Sequence, residues 1–259
     1  MDIVVVVKQV PDLVEELTIA ADGARLDPHS LKLKVNEFDE HALEEGLLLK
    51  EAQGGKVTVV ALESDGLDET LFTALAKGAD RAVKVTGDFS GGVSSHAAAS
   101  MLGEVIKGLP YDVILTGVQS AEDRDGQIGP LLACALGIPH VSVVTGVKVE
   151  GKAATIQQEY AGGIVGEMEV DLPAVFGIQA AQKPPRYVPV SKVRQAMKAS
   201  RIESLAAPEA PMATEAGAGG RVRRMFKPES GSRATMIEGG PEEQVDRLLS
   251  LLREKGFLK

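Results

Sequence analysis

The apolar and polar positions of the chain fall into two alternating patterns. Short runs of β-branched residues, the mark of buried parallel strands, occur at residues 3–7, 56–62, 82–85, 113–116 and 140–144. Between them lie longer stretches with apolar residues three and four apart: 39–52, with Ala42, Leu43, Leu47 and Leu49, then 67–78, 94–107 and 128–136. This alternation predicts an α/β fold, an open and mostly parallel sheet with helices on both faces.

After Thr145 the pattern changes. Residues 147–150, 154–160 and 165–170, separated by Glu-Gly and Gly-Gly turns, predict antiparallel hairpins, and 174–178 returns to a buried strand. Residues 25–35, with Leu31, Leu33 and Val35 alternating, predict another short antiparallel piece. Both are small insertions on the core. Residues 205–220, LAAPEAPMATEAGAGG, lack apolar periodicity and read as a linker or extended arm. The expected organisation is therefore a domain over residues 1–203, an arm over 204–239 and a terminal helix within 240–259. Gly240-Pro-Glu-Glu opens that helix and Lys255-Gly256 closes it. Its apolar positions Val245, Leu248, Leu249, Leu251 and Leu252 need a surface to cover, and a helix tethered by an arm suits another subunit.

Composition narrows the classes. Hydrophobic residues make up 44% and charged ones 25% of the 259, as in soluble globular chains. No apolar run approaches the roughly 18 residues of a membrane span. The start, MDIVVVVKQVPD, reads as a first strand and not a signal peptide, since an acid precedes a short apolar run. The single cysteine, Cys134, and four scattered histidines offer no disulfide or metal spacing, which fits a reducing cytoplasm. A net charge of −9 argues against nucleic acid. One basic stretch stands apart, with Lys183, Arg186, Lys192, Arg194, Lys198 and Arg201; it is either a solvated face or a docking surface.

The sharpest candidate for chemistry is Val113-Ile-Leu-Thr-Gly-Val-Gln-Ser-Ala-Glu-Asp-Arg-Asp-Gly-Gln-Ile-Gly-Pro, a strand entering a glycine-punctuated loop and then a helix. Ligands of open parallel sheets bind beyond the carboxyl ends of strands. Gly126 and Gly129 would let backbone N–H groups approach a phosphate, the next helix would add its positive end, and Gln119 and Gln127 can donate amide hydrogens. The loop matches neither GxxxxGK[ST] nor GxGxxG, and a turn with a helix cap is the plainer alternative. Its acids Glu122, Asp123 and Asp125 lack a histidine or lysine to complete a catalytic set; solvation or pairing with Arg124 accounts for them, and no catalytic residue is expected. Two further strand ends, Lys8-Gln-Val-Pro-Asp and Ala61-Leu-Glu-Ser, belong to the same sheet edge. So does Val35-Asn-Glu-Phe-Asp-Glu-His-Ala, where Asn36 and Asp39 can cap a helix. The convergence suits an adenosine whose base meets backbone groups and whose phosphates meet the loop.

Five ordered blocks carry a resemblance: Val7-Lys-Gln-Val-Pro-Asp; Asn36-Glu-Phe-Asp-Glu-His-Ala-Leu-Glu-Glu; Thr73-Ala-Leu-Ala-Lys-Gly-Ala-Asp-Arg-Ala; Gly117-Val-Gln-Ser through Gln127-Ile-Gly-Pro; and Pro185-Arg-Tyr with the basic helix from Lys192 to Lys198. Over nearly its whole length the chain resembles the β subunit of electron transfer flavoprotein, the FixA-like family. That resemblance implies a heterodimer whose α subunit carries the redox FAD. The β subunit would hold AMP or, in electron-bifurcating members, a second FAD used to oxidise NADH. Electrons would pass from an acyl-CoA-type or other dehydrogenase to a quinone-linked or other acceptor.

Carried over by position, the nucleotide contacts would be Val6, Asn36, Glu37, Phe38, Asp39 and Leu62, followed by the loop residues Val118, Gln119, Ser120, Ala121, Glu122, Asp123, Arg124, Asp125, Gly126, Gln127, Ile128 and Gly129. The stretch after Pro185 is similar to the family's recognition loop, so Arg186, Tyr187, Val190 and Lys192 would dock a dehydrogenase, with Val190 as the apolar anchor. The family commonly has leucine followed by proline there, where this chain has Val190-Ser191. Bifurcating members resemble Gly-Asp-Thr-Ala-Gln where this chain reads Asp123-Arg-Asp-Gly-Gln, which favours AMP. A reading from another class is a stand-alone adenine-nucleotide sensor resembling universal stress proteins, which would have little use for the arm and the apolar terminal helix.

Overall fold

A computed structural model describes residues 1–89, 92–123, 125–208, 222–228, 234 and 236–258. They form two compact units, Met1–Arg223 and Arg224–Lys259, each taken by itself.

The first unit is an α/β sheet of nine strands. β1 (Asp2–Val6) is central; β2 (Gln9–Pro11) and β3 (Leu33–Val35) leave the sheet as a small antiparallel pair before α1 (Glu37–Gln53) returns to it. β4 (Lys56–Leu62), α2 (Leu67–Lys77), β5 (Arg81–Thr86) and α3 (Ser95–Lys107) build outward on one side of β1. The chain then crosses to the other side for β6 (Val113–Gly117), α4 (Ile128–Leu136), β7 (His140–Glu150), the hairpin β8 (Ala153–Tyr160) and β9 (Ile164–Asp171), and β10 (Ala174–Ile178). Last come α5 (Val190–Ala199) and β11 (Ile202–Ala206). The order is β11-β5-β4-β1-β6-β10-β7-β8-β9, and all pairs from β11 to β7 are parallel. The direction of building reverses between β1 and β6, so the topological switch point lies there.

The continuous apolar runs follow from burial on both faces. Successive side chains of a strand point to opposite sides, so Val5, Leu115 and Phe176 enter one core with Leu47 of α1 and Leu71 of α2. Val4, Ile114 and Val175 enter the other, with Ile106 of α3 and Leu132 of α4. Each such fully buried aliphatic side chain contributes about 1.5–3 kcal/mol.

Two features differ from the sequence pattern. Residues 140–144 and 147–150 are one strand: β7 pairs with β10 in parallel at its start and with β8 in antiparallel at its end. The register shifts between Val144 and Gly146, and Val143 takes φ 58°, a local kink that lets one strand change partners. β11 was not announced at all, because it is an edge strand with only Ile202 and Leu205 turned inward. α5 begins after Pro189, packs on α2 and buries only Val193.

In the second unit, α6 (Pro241–Glu254) starts with proline in its first turn, and the Glu243 carboxylate accepts the Gly240 N–H at 3.0 Å. None of its residues is buried, and Val245 and Leu248 are exposed. Much of the arm expected over 204–239 lies outside the described residues. Among those described, no helix is long and apolar enough to cross a membrane.

Candidate functional site

The switch point places the carboxyl ends of β1 and β6 on either side of the amino end of α1. Asp39, one turn into α1 and buried, ties all three: its Oδ2 accepts the Lys8 N–H at 2.8 Å and its Oδ1 accepts the Gly117 N–H at 3.0 Å. Gly117 has no alternative here, since a Cβ would collide with Asp39 Oδ1 and lie 2.8 Å from the Phe38 Cβ. Burial pushes the Asp39 carboxyl up to about 6, against the lowering effect of the Lys8 N–H, the Asn36 side chain and the Gly117 N–H.

Asn36 occupies the cap position of α1, but its side chain makes no cap hydrogen bond. Its Nδ2 donates instead to the Gln119 carbonyl at 2.9 Å, while its own N–H donates to the Lys8 carbonyl at 2.9 Å. The capping account of Asn36 and Asp39 is thus corrected: both side chains join loops distant in sequence.

The loop after β6 is folded on itself and fastened at both rims. Ser120 Oγ accepts the Asp123 N–H at 3.0 Å, and the Ser120 N–H donates to the Asp123 carbonyl at 3.1 Å. Ser95, at the start of α3, donates its hydroxyl to Asp123 Oδ2 at 2.5 Å, and Lys8 Nζ meets Glu122 Oε1 at 2.9 Å. Gly126 sits at φ +63°, where a Cβ would lie 2.6 Å from the Val118 carbonyl oxygen. At Gly129 a Cβ would lie 2.8 Å from His140 Nε2, so its smallness lets α4 settle on the sheet. Among the described residues that His140 Nε2 is buried without a hydrogen-bond partner, and burial lowers the imidazole's pKa.

These elements enclose a cleft. Of the positions singled out in the sequence, Val6, Asn36, Asp39, Leu62, Gln119, Ser120, Glu122, Asp123, Gly126 and Ile128 line it. Glu37, Phe38, Val118, Ala121, Asp125, Gln127 and Gly129 do not, and Arg124 lies outside the described residues. The opposite wall escaped the sequence reading: Phe89, Val93, Ser95, Ala98 and Leu102, from the β5–α3 connection and α3, line the cleft as well. A signal was present, since Asp88-Phe-Ser-Gly-Gly-Val-Ser-Ser is a second glycine-bearing passage from strand end to helix start at the same edge. Ser94 caps α3 by accepting the Ala97 N–H at 3.2 Å, so the amino ends of both α3 and α4 border the cleft. The arrangement offers an apolar slot for a flat base beside a polar loop for an anionic group. Among the described residues no three His, Cys, Asp or Glu side chains gather as a metal set.

The four expected docking positions separate into two kinds. Tyr187 and Val190 are 85% and 62% exposed, and Lys192 is exposed on α5. Arg186 is turned inward and bound to Glu44 and Glu51 of α1.

Residues 24–210 match the electron transfer flavoprotein domain. The chain is 37% identical to the electron transfer flavoprotein subunit beta of Methylophilus methylotrophus over 98% of both chains. It is 33% identical to the subunit of that name from Syntrophomonas wolfei subsp. wolfei, over 98% of this chain and 96% of the relative. It is 28% identical to Protein FixA of Azorhizobium caulinodans, over 96% and 93%.

Proposed function

The chain belongs to the electron transfer flavoprotein family, as a β subunit with an α partner, and from that premise we propose that it binds AMP in the β1–β6 cleft, leaves redox catalysis to an FAD held mainly by the α subunit, and docks a dehydrogenase through Tyr187 and Val190. The observation that carries the nucleotide reading is the meeting of an apolar wall, with Phe89, Val93, Ala98 and Leu102, and a glycine-bearing loop at the switch point. The Val6 and Leu62 end suits the base, and the backbone around Ser120 and Gly126 suits the phosphate.

The fastened loop favours a mononucleotide over a second FAD. Lys8–Glu122 and Ser95–Asp123 tie it to the β1 rim and the α3 rim, a compact arrangement that suits a single phosphate. In this assembly the α subunit's flavin supplies the electron chemistry when bound. This chain's residues fix the nucleotide and the relative placement of the subunits, and offer the basic, aromatic-tipped face around α5 to the electron donor. The exposed Val245 and Leu248 of α6 are apolar positions for the α subunit to cover.

The deciding experiment is co-expression with the α subunit, acid extraction of the purified pair, and a count of nucleotides. One FAD and one AMP per pair are expected. Two FAD per pair would replace this reading with electron bifurcation, and a stable colourless monomer with no affinity for an α subunit would favour a lone nucleotide sensor.

A further inference from the structure

The connection from β10 to α5 contains Pro184, Pro185 and Pro189; its first N–H groups, of Gln179 and Ala180, reach the Val144 carbonyl, and those of Ala181, Gln182 and Arg186 are received by side chains of α1. His41 Nδ1 accepts the Ala181 N–H at 3.2 Å. Glu45 takes the Gln182 N–H at 3.0 Å and the Gln182 side-chain amide at 3.0 Å, and also the Val147 N–H at 3.2 Å. Glu44 takes the Arg186 N–H at 2.9 Å and is straddled by the same residue's guanidinium, with Nε at 3.0 Å from both carboxylate oxygens and Nη2 at 2.8 Å from Oε1. The remaining arm, Nη1, reaches Glu51 at 2.7 Å.

Spacings of three and four put His41, Glu44 and Glu45 on one face of α1. Glu44 and Glu45 are 3% and 1% exposed. Burying a carboxylate is costly unless its oxygens are fully hydrogen-bonded, and the segment of residues 181–186 supplies most of those donors. Conversely, a proline-rich segment without strand partners has few ways to satisfy its N–H groups, and α1 offers acceptors at the required spacing. Burial raises the Glu45 pKa against the lowering effect of the bonds from Gln182 and Val147, and the bonds to Glu44 and Glu51 raise that of Arg186. Directly after Arg186 stands Tyr187, and three residues further Val190, both turned to solvent.

We infer that Arg186 is a positioning residue and not a contact of the partner: Glu44 and Glu45 on α1 template the segment ahead of α5, so that Tyr187 and Val190 are presented in one fixed geometry. Only the use made of that geometry rests on the docking reading above. The guanidinium fork is the specific element, because a lysine at this position would keep the charge and lose the straddling geometry.

Chymotryptic cleavage after Tyr187 in the full-length protein, followed by mass spectrometry, reports whether the segment is held. Glu44→Gln should raise its rate roughly tenfold or more, since a set of charge-assisted bonds is lost and cleavage follows the opened population. AMP content should stay as in the unaltered protein. A paired replacement, Glu44→Met with Arg186→Met, removes the ion pair without leaving a buried charge, so it should fold and still be cleaved faster. Arg186→Lys should fall between the unaltered protein and Arg186→Met. Unchanged cleavage in both the Gln and the paired variants, or cleavage accelerated equally at sites all over the chain, would overturn the inference. A separate arm uses an acyl-CoA dehydrogenase reduced by its substrate as electron donor to the α–β pair. There Glu44→Gln should raise KM for the dehydrogenase and leave kcat unchanged. Should Val190→Glu transfer electrons like the unaltered protein, docking at this face fails, while the cleavage result still decides the role of Arg186.

Discussion

The carboxylate of Asp39 holds the backbone N–H of Gly117, 78 positions further along the chain, at 3.0 Å. With its second oxygen on the Lys8 N–H, one buried side chain closes the gap between the two strands at which the sheet reverses direction.

Asp39→Asn keeps the volume of the side chain but replaces one acceptor by a donor. Either Lys8 or Gly117 is then left with a buried, unanswered N–H, which costs about 1–3 kcal/mol. The variant should retain less AMP on purification at pH 7 or above, where the folded carboxyl is ionised and accepts both N–H groups. Full retention would remove Asp39 from the account of the cleft.

The pH dependence has a definite sign. The folded Asp39 carboxyl lies at about 6, above its ordinary value of 3.8, so between these two the folded state binds the proton that the unfolded state has released. Its contribution to stability is complete below 3.8 and is lost as pH rises through about 6. Compared with Asp39→Asn, the unaltered protein should therefore lose stability from pH 4 to pH 7; parallel unfolding curves for the two across that range would contradict it.

Gly126→Ala places a methyl 2.6 Å from the Val118 carbonyl oxygen at a residue with φ +63°. Left-handed backbone costs a non-glycine residue about 1–2 kcal/mol before the collision is counted. Thermal unfolding should shift downward and AMP content should fall with it, because the loop that carries Ser120 and Asp123 has to move.

Ser95→Ala removes the hydroxyl that fastens Asp123 to the α3 rim. One hydrogen bond of this kind contributes about 0.5–1.5 kcal/mol, or up to about 3 kcal/mol where one partner is charged, so the fold should survive. AMP should leave faster, as measured by dilution of the loaded protein. An unaltered off-rate would mean that the tie does not retain the ligand, and would also weaken the case for a mononucleotide over an FAD.

Much of the fold could be read in advance because its causes are local. Residues 128–136 show helix periodicity, and α4 has those bounds; the runs at β1, β6 and β10 are apolar throughout because helices cover both faces. What escaped depends on neighbours. β11 has too few apolar positions to stand out and exists because β5 offers it an edge. The continuity of β7 depends on the two different partners it meets along its length. The glycine-bearing loop after β6 was visible, while the wall from Phe89 to Leu102 was not singled out, since five lining residues spread over two elements form no motif.

The sequence alone determined an α/β chain with a glycine-bearing loop beyond the fourth parallel run, because strand and helix periodicities and glycine placement are written residue by residue. Only the tertiary structure decided what the polar side chains do. Asn36 and Asp39 read as helix caps until Gln119, Lys8 and Gly117 came within hydrogen-bond reach. Arg186 read as a surface cation until Glu44 and Glu51 enclosed it. A side chain's role is set by whichever groups share its few ångströms of surroundings, and for these residues those groups lie from 31 to 142 positions away along the chain.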